Sequence, residues 1–104
     1  MRTLLLICED ITLSENIIQK MGCEYTIWHV SRQRDAMAWL DKHHPESIVM
    51  DLDLLGHGAS TILDKVREAS SENYTMAIGI CKSPEPLPPL LLQRLDQLIV
   101  HHAI

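Results

Sequence analysis

Four short apolar runs divide this chain, and stretches with helical periodicity lie between them. The runs are Leu4 to Cys8, Tyr25 to Val30, Ser47 to Leu52 and Met76 to Cys81. Three are apolar almost to the point where a charged residue appears, Glu9, Asp51 or Lys82, which is how strands buried on both faces of a parallel sheet read. Tyr25 to Val30 is marked instead by its β-branched and aromatic residues. Strands that alternate with helices must be parallel and joined by right-handed crossovers. The pattern therefore predicts an α/β fold, a doubly wound open parallel sheet.

The connecting segments carry helix signals. Thr12-Leu13-Ser14-Glu15 reads as a capping box, in which Thr12 and Glu15 each satisfy a backbone amide of the first turn. Leu13, Ile17, Ile18 and Met21 then share a face, and Gly22 is expected to stop the helix in the left-handed conformation. Ser31 is the expected cap of a second helix with Ala36, Trp39, Leu40 and His43 on one face, ended before Pro45 because the residue preceding proline avoids the α region. Gly56 and Gly58 make a turn, Ile62, Leu63 and Val66 mark a third helix, and residues 70–73 read as a loop.

The last segment reads two ways. Leu91, Leu92, Leu95, Leu98, Ile99 and His102 form a helical stripe, and Pro89 suits a first turn. The favoured reading is four strands in the order 2-1-3-4, with a C-terminal helix covering the face shared with the first helix. The alternative makes Leu98 to Val100 a fifth strand with no last helix, which leaves apolar sheet surface exposed and favours a homodimer.

Size and composition agree with one small domain spanning 1–104. Thirty of the 104 residues are Leu, Ile or Val and none is Phe, well above the roughly 20% floor for a folded core. The net charge is −5 and no cluster of Lys or Arg exists, which argues against a nucleic-acid partner or an anionic membrane. Leu4 to Cys8 is shorter than the about 7–15 apolar residues of a signal peptide, and Ile7 stands where a lipoprotein cleavage site wants a small residue. No stretch approaches the roughly 20 residues of a membrane helix. Cys8, Cys23 and Cys81 are odd in number and lack Cys-x-x-Cys spacing, so reduced, buried thiols and a cytoplasmic location are expected. His43-His44 and His101-His102 point about 100° apart if helical and are poor pairs for one ion.

Chemistry belongs at the carboxyl ends of the strands, where open α/β sheets place their ligand crevice. Glu9 and Asp10 end the first strand, Asp51 ends the third with Asp53 two residues on, and Lys82 follows the fourth run. Ionised carboxylates crowd together only around a cation, and oxygen donors suit a hard ion such as Mg²⁺. A carboxylate beside Mg²⁺ and an ammonium group can act as a nucleophile toward phosphorus.

These residues resemble the receiver domain of bacterial two-component response regulators, which is flavodoxin-like in fold. Glu9-Asp10 stand at the family's acidic pair, and Pro45 to Gly56 match its third-strand pattern. Ile62-Leu63-Asp64-Lys65-Val66-Arg67 match its third helix, so the likeness covers 4–67. The resemblance implies a signalling role without enzymatic turnover, with Asp51 as phosphoacceptor. Glu9, Asp10 and Asp51 would hold Mg²⁺, joined by the backbone carbonyl of Asp53. It implies a histidine kinase or phosphorelay protein as partner and an effector protein downstream. The second half departs. If Met76 to Cys81 is the fourth strand, Cys81 takes the place of the family's switch hydroxyl, and a thiol is a weaker donor. If it is the fifth, Lys82 falls at the family's lysine. Either way one βα unit is missing or worn down, and Leu55 stands where the family prefers proline.

Two other functions fit some of these residues. A receiver-like fold that has lost phosphotransfer would be a docking module. Met50-Asp51-Leu52-Asp53-Leu54 also resembles the first motif of haloacid-dehalogenase-type phosphatases, with Asp51 as nucleophile and Asp53 as acid/base. That motif belongs on a first strand, and the 53 residues after Asp51 leave little room for the later motifs.

Overall fold

The computed structural model describes residues 2–69 and 74–101. Strands β1 (Arg2–Ile7), β2 (Tyr25–Val30), β3 (Ser47–Asp51), β4 (Met76–Cys81) and β5 (Gln97–Val100) form one sheet in the order β2-β1-β3-β4-β5, with every neighbouring pair parallel. Helices α1 (Ile11–Met21), α2 (Gln33–Leu40), the single turn α3 (Leu52–Leu55), α4 (Gly58–Ala69) and the short α5 (Pro89–Gln93) connect them. The doubly wound sheet is as expected. Its five-strand version holds, and the favoured C-terminal helix does not: α5 ends at Gln93, and Leu98, Ile99 and Val100 lie in β5.

Each face of the sheet buries alternate residues of the central strands. Leu4, Leu6, Val49, Ile78 and Ile80 pack with Ile17 of α1. On the other face Leu5, Ile7, Ile48, Met50 and Ala77 pack beneath α2, α4 and α5. Burial on both faces explains why β1, β3 and β4 read as unbroken apolar runs.

Local signals were overridden in three places. Asp10, not Thr12, caps α1, its Oδ1 accepting the Leu13 amide at 3.0 Å, because the chain turns straight from β1 into the helix. Gly22 keeps a right-handed φ of −65°, and the residue before α2 is Arg32 rather than Ser31, with no side-chain cap. Gly56 does take a positive φ of 53°, so the chain reverses there between α3 and α4. Residues 70–73, read as a loop, and His102 fall outside the described residues. Cys8 and Cys81 are buried as expected, whereas Cys23 is exposed.

The end of the chain is tied down by one side chain. Asp96 accepts the backbone amide of Ala77 at 2.7 Å and the hydroxyl of Tyr74 at 2.8 Å, and Arg67 lies 3.7 Å away. The Arg67 guanidinium also sits over the Tyr74 ring at 4.2 Å. This clamp starts β5 beside β4 and diverts the sequence from the helical stripe.

Candidate functional site

Asp51 ends β3, the middle strand of the five, with β1 on one side and β4 on the other. The residue is 9% exposed. Oδ1 accepts the amides of Asp53 at 3.1 Å and Leu54 at 3.4 Å, so the carboxylate also caps the α3 turn. From β1 the Cys8 thiol lies 3.8 Å from Oδ2. Burial pushes the Asp51 carboxyl above its ordinary value against the pull of the Leu54 amide. The charge of Asp53 pushes it up further, while the Asp53 amide and His101 draw it down.

The other expected residues lie at the same carboxyl ends of the strands, each with its own engagement. Glu9 is exposed beside a shallow cavity of about 260 Å³ lined with Ser31, Arg32, Gln33, Leu54 and Leu55. Asp10 holds the α1 cap. Asp53 is exposed, and its Oδ2 accepts the Lys82 amide at 2.9 Å, stitching the α3 turn to the end of β4. Lys82 therefore enters through its backbone, and it follows the fourth strand of the chain, not the fifth. That settles the position of Cys81 at the end of the fourth strand, fully buried. Burial pushes its thiol up, reinforced by the charges of Asp53 and Asp51. Burial likewise pushes up the Cys8 thiol, despite its hydrogen bond with Ser14, with Asp51 adding to the rise. Both thiols are protonated at neutral pH.

His101, which the sequence offered only as half of a poor metal pair, takes a different place. The His101 amide donates to the Cys81 carbonyl at 2.9 Å, which carries the β4–β5 ladder one step past β5. Its imidazole thereby comes within electrostatic reach of Asp51. The signal was present: Leu98-Ile99-Val100 is an apolar run stopped by a polar residue, the pattern that ends β1, β3 and β4.

Among the described residues no group of three or more His, Cys, Asp or Glu side chains is arranged to hold a metal ion. Mg²⁺ asks for less, since it keeps several waters and is held by one or two carboxylates together with phosphate oxygens. The donors here fit that demand: they are oxygens, and a buried carboxyl raised by desolvation and by a second carboxylate is one that a cation would relieve. A cavity of about 630 Å³ lies at the opposite, amino-terminal ends of the strands, beside Arg2, Tyr25, Ser47 and Met76. It holds none of these groups.

No protein-family model matches the sequence, and no curated protein sequence matches it. Solved structures do match the fold. A response regulator receiver domain (CheY-like) from Methylobacillus flagellatus is 12% identical with a TM-score of 0.80, over 100% of this chain and 89% of that one. The response regulator TrrA from Thermotoga maritima, solved with Mg²⁺ and BeF, is 14% identical with a TM-score of 0.76, over 97% of this chain and 87% of that one. The pseudo-receiver domain of the CikA protein is 15% identical with a TM-score of 0.75, over 99% of this chain and 87% of that one. The chain thus has the receiver fold from end to end, at identities that carry the fold alone. Among the described residues no helix is long and apolar enough to cross a membrane.

Proposed function

We propose that this chain is a signal-transduction receiver domain of the cytoplasm, in which Asp51 accepts a phosphoryl group from a phosphohistidine on a kinase or phosphorelay partner. The observation that carries this reading is the place of Asp51: it ends the central strand of a receiver fold, between the acids that follow β1 and the polar groups that follow β4 and β5. In the transfer an Asp51 carboxylate oxygen attacks phosphorus, the phosphorus–nitrogen bond breaks, and its electron pair returns to the imidazole of the donor, which takes a proton from solvent. The Asp53 and Leu54 amides hold Oδ1 and so orient the carboxylate. His101 lies within electrostatic reach of this carboxylate. Glu9, Asp10 and Asp51, with the Asp53 carbonyl, are the groups that would hold Mg²⁺. Bound there, the ion would neutralise charge on the phosphoryl oxygens. An effector protein would read the result.

A docking module that works without phosphorylation is the second reading, and the Cys8 contact favours it. Both oxygens of Asp51 already have partners within the chain, and Cys81 offers only a protonated thiol where a hydroxyl would answer a phosphoryl group. The phosphatase reading has less behind it, because Asp51 lies on β3 and the Asp53 carboxylate is spent on the Lys82 amide.

Amide NMR spectra separate these readings. Addition of Mg²⁺ with acetyl phosphate or beryllofluoride is expected to shift Cys8, Asp51 to Leu54 and Cys81 to Lys82, and Asp51→Asn should abolish the shifts. An unchanged wild-type spectrum rejects the phosphoacceptor and leaves the docking module. Turnover of a phosphomonoester, lost in Asp53→Asn, would instead establish the phosphatase.

A further inference from the structure

Among the described residues no strand pairs with the outer edge of β5. β5 pairs with β4 on one side only, and Leu98, Ile99 and Val100 keep 37%, 47% and 42% of their surface exposed. Edge strands are normally guarded by a lysine, a proline or a bulge, because free N–H and C=O groups recruit another strand. Gln97 to Val100 contains no charge and no proline. Beside it runs a largely apolar groove of about 160 Å³, where Val49, Ile78, Ile80, Gln97 and Ile99 face Ile17, Lys20 and Met21 of α1.

The order of residues along this edge identifies what can pair with it. Gln97-Leu98-Ile99-Val100-His101 reads polar, apolar, apolar, apolar, polar and is symmetric about Ile99. We propose that β5 pairs antiparallel with β5 of a second copy of this chain, about a two-fold axis at Ile99, giving a continuous ten-stranded sheet. Residues directly opposite in an antiparallel ladder point to the same face, so the registers open to a two-fold are those centred on a residue. Centred on Ile99, the pairs are Ile99 with Ile99, Leu98 with Val100 and Gln97 with His101, so each residue meets its own kind. Centred on Leu98, Gln97 would oppose Ile99 and Asp96 would oppose Val100, and Asp96 is already held by Ala77 and Tyr74. Arg67 compensates the Asp96 charge within the chain, so it does not oppose the approach of a second copy. The same two-fold brings the two α1–β5 grooves side by side on one face. This interface shares only His101 with the Asp51 site and requires no phosphoryl transfer, so either can fail alone.

Light scattering coupled to size exclusion, over a wide range of protein concentration, is the test. Wild type is expected to move to twice the single-chain mass as concentration rises. Ile99→Lys and Ile99→Glu, each placing like charges face to face on the axis, should both stay at single-chain mass, and mixing them should restore the doubled mass. Unchanged far-UV circular dichroism and melting would show both variants folded, as expected for a half-exposed position. In a Cys23→Ser background, Ile99→Cys should form an intermolecular disulfide under mild oxidation and Leu98→Cys should not. The proposal is overturned by a wild type that stays at single-chain mass, which would leave the groove to a different protein. A dimer that Ile99→Lys leaves intact, or cross-linking at 98 in preference to 99, overturns it equally.

Discussion

The thiol of Cys8 on β1 lies 3.8 Å from Oδ2 of Asp51 on β3, and both groups hold their protons more tightly than in water. A carboxyl raised in the folded state binds more protons there than in the unfolded chain, over the interval from its ordinary value of 3.8 up to its raised value. Stability from this group therefore falls as pH rises through that interval.

The first prediction follows from that sign. Asp51→Asn removes the buried charge and keeps a side chain of similar capping quality, so the variant should melt higher than wild type at neutral pH. Each kcal/mol relieved is worth roughly 4–8 °C in a domain near this size. The advantage should shrink as pH is lowered toward 3.8. Thermal melts across pH measure it; a variant no more stable than wild type at neutral pH would mean that the Asp53 and Leu54 amides already offset the burial.

The second concerns the clamp on β5. Asp96→Ala leaves the Ala77 amide without its acceptor in a fully buried residue and frees Tyr74 and Arg67. An orphaned buried donor costs about 1–3 kcal/mol, and the loss should fall first on β5. Denaturant unfolding should show the destabilisation, and hydrogen exchange at residues 98–101 should quicken well before that of β1 and β3. Uniform loss of protection across the sheet would contradict a local role.

The third concerns Gly79. A Cβ there would stand 2.7 Å from a methyl carbon of Leu52 and 2.7 Å from one of Leu95, so the absent side chain is what lets the α3 turn and the segment after α5 settle on β4. Gly79→Ala can be accommodated by rotating those methyls, whereas Gly79→Val overfills the site and should cost about 1–3 kcal/mol. Equal stabilities of the two variants in denaturant titrations would count against this packing.

β1, β3 and β4 were legible because strands buried on both faces leave an unbroken apolar run, and Asp51 was legible because the run stops at it. The capping box at Thr12 and Glu15 was a sound local signal, displaced because Asp10 reaches the Leu13 amide first. The C-terminal segment could not be decided locally. Leu91 to Ile99 satisfies a helical stripe, and the decision rests on Asp96 bonding an amide 19 residues earlier, a contact no local period encodes. Once β5 forms, the β4–β5 register brings His101 within electrostatic reach of Asp51, so its place beside the carboxylate was undecided for the same reason.

The last prediction tests that placement. His101 lowers the affinity of Asp51 for its proton through charge, opposing burial. His101→Ala should therefore raise the midpoint of the Asp51 carboxyl in a carbon-13 NMR titration, while His101→Lys, with an ammonium charged across the whole range, should lower it. The two variants must move in opposite directions for the effect to be electrostatic; a shared direction would point to altered packing at the end of β4. The same pair bears on phosphoryl acceptance. A lower proton affinity means more ionised nucleophile, and a fixed cation beside it steadies the charge on the incoming phosphoryl oxygens. Labelling by acetyl phosphate should accordingly be several-fold faster in His101→Lys than in wild type and slower in His101→Ala. Equal rates in all three proteins would remove His101 from the site while leaving Asp51 in it.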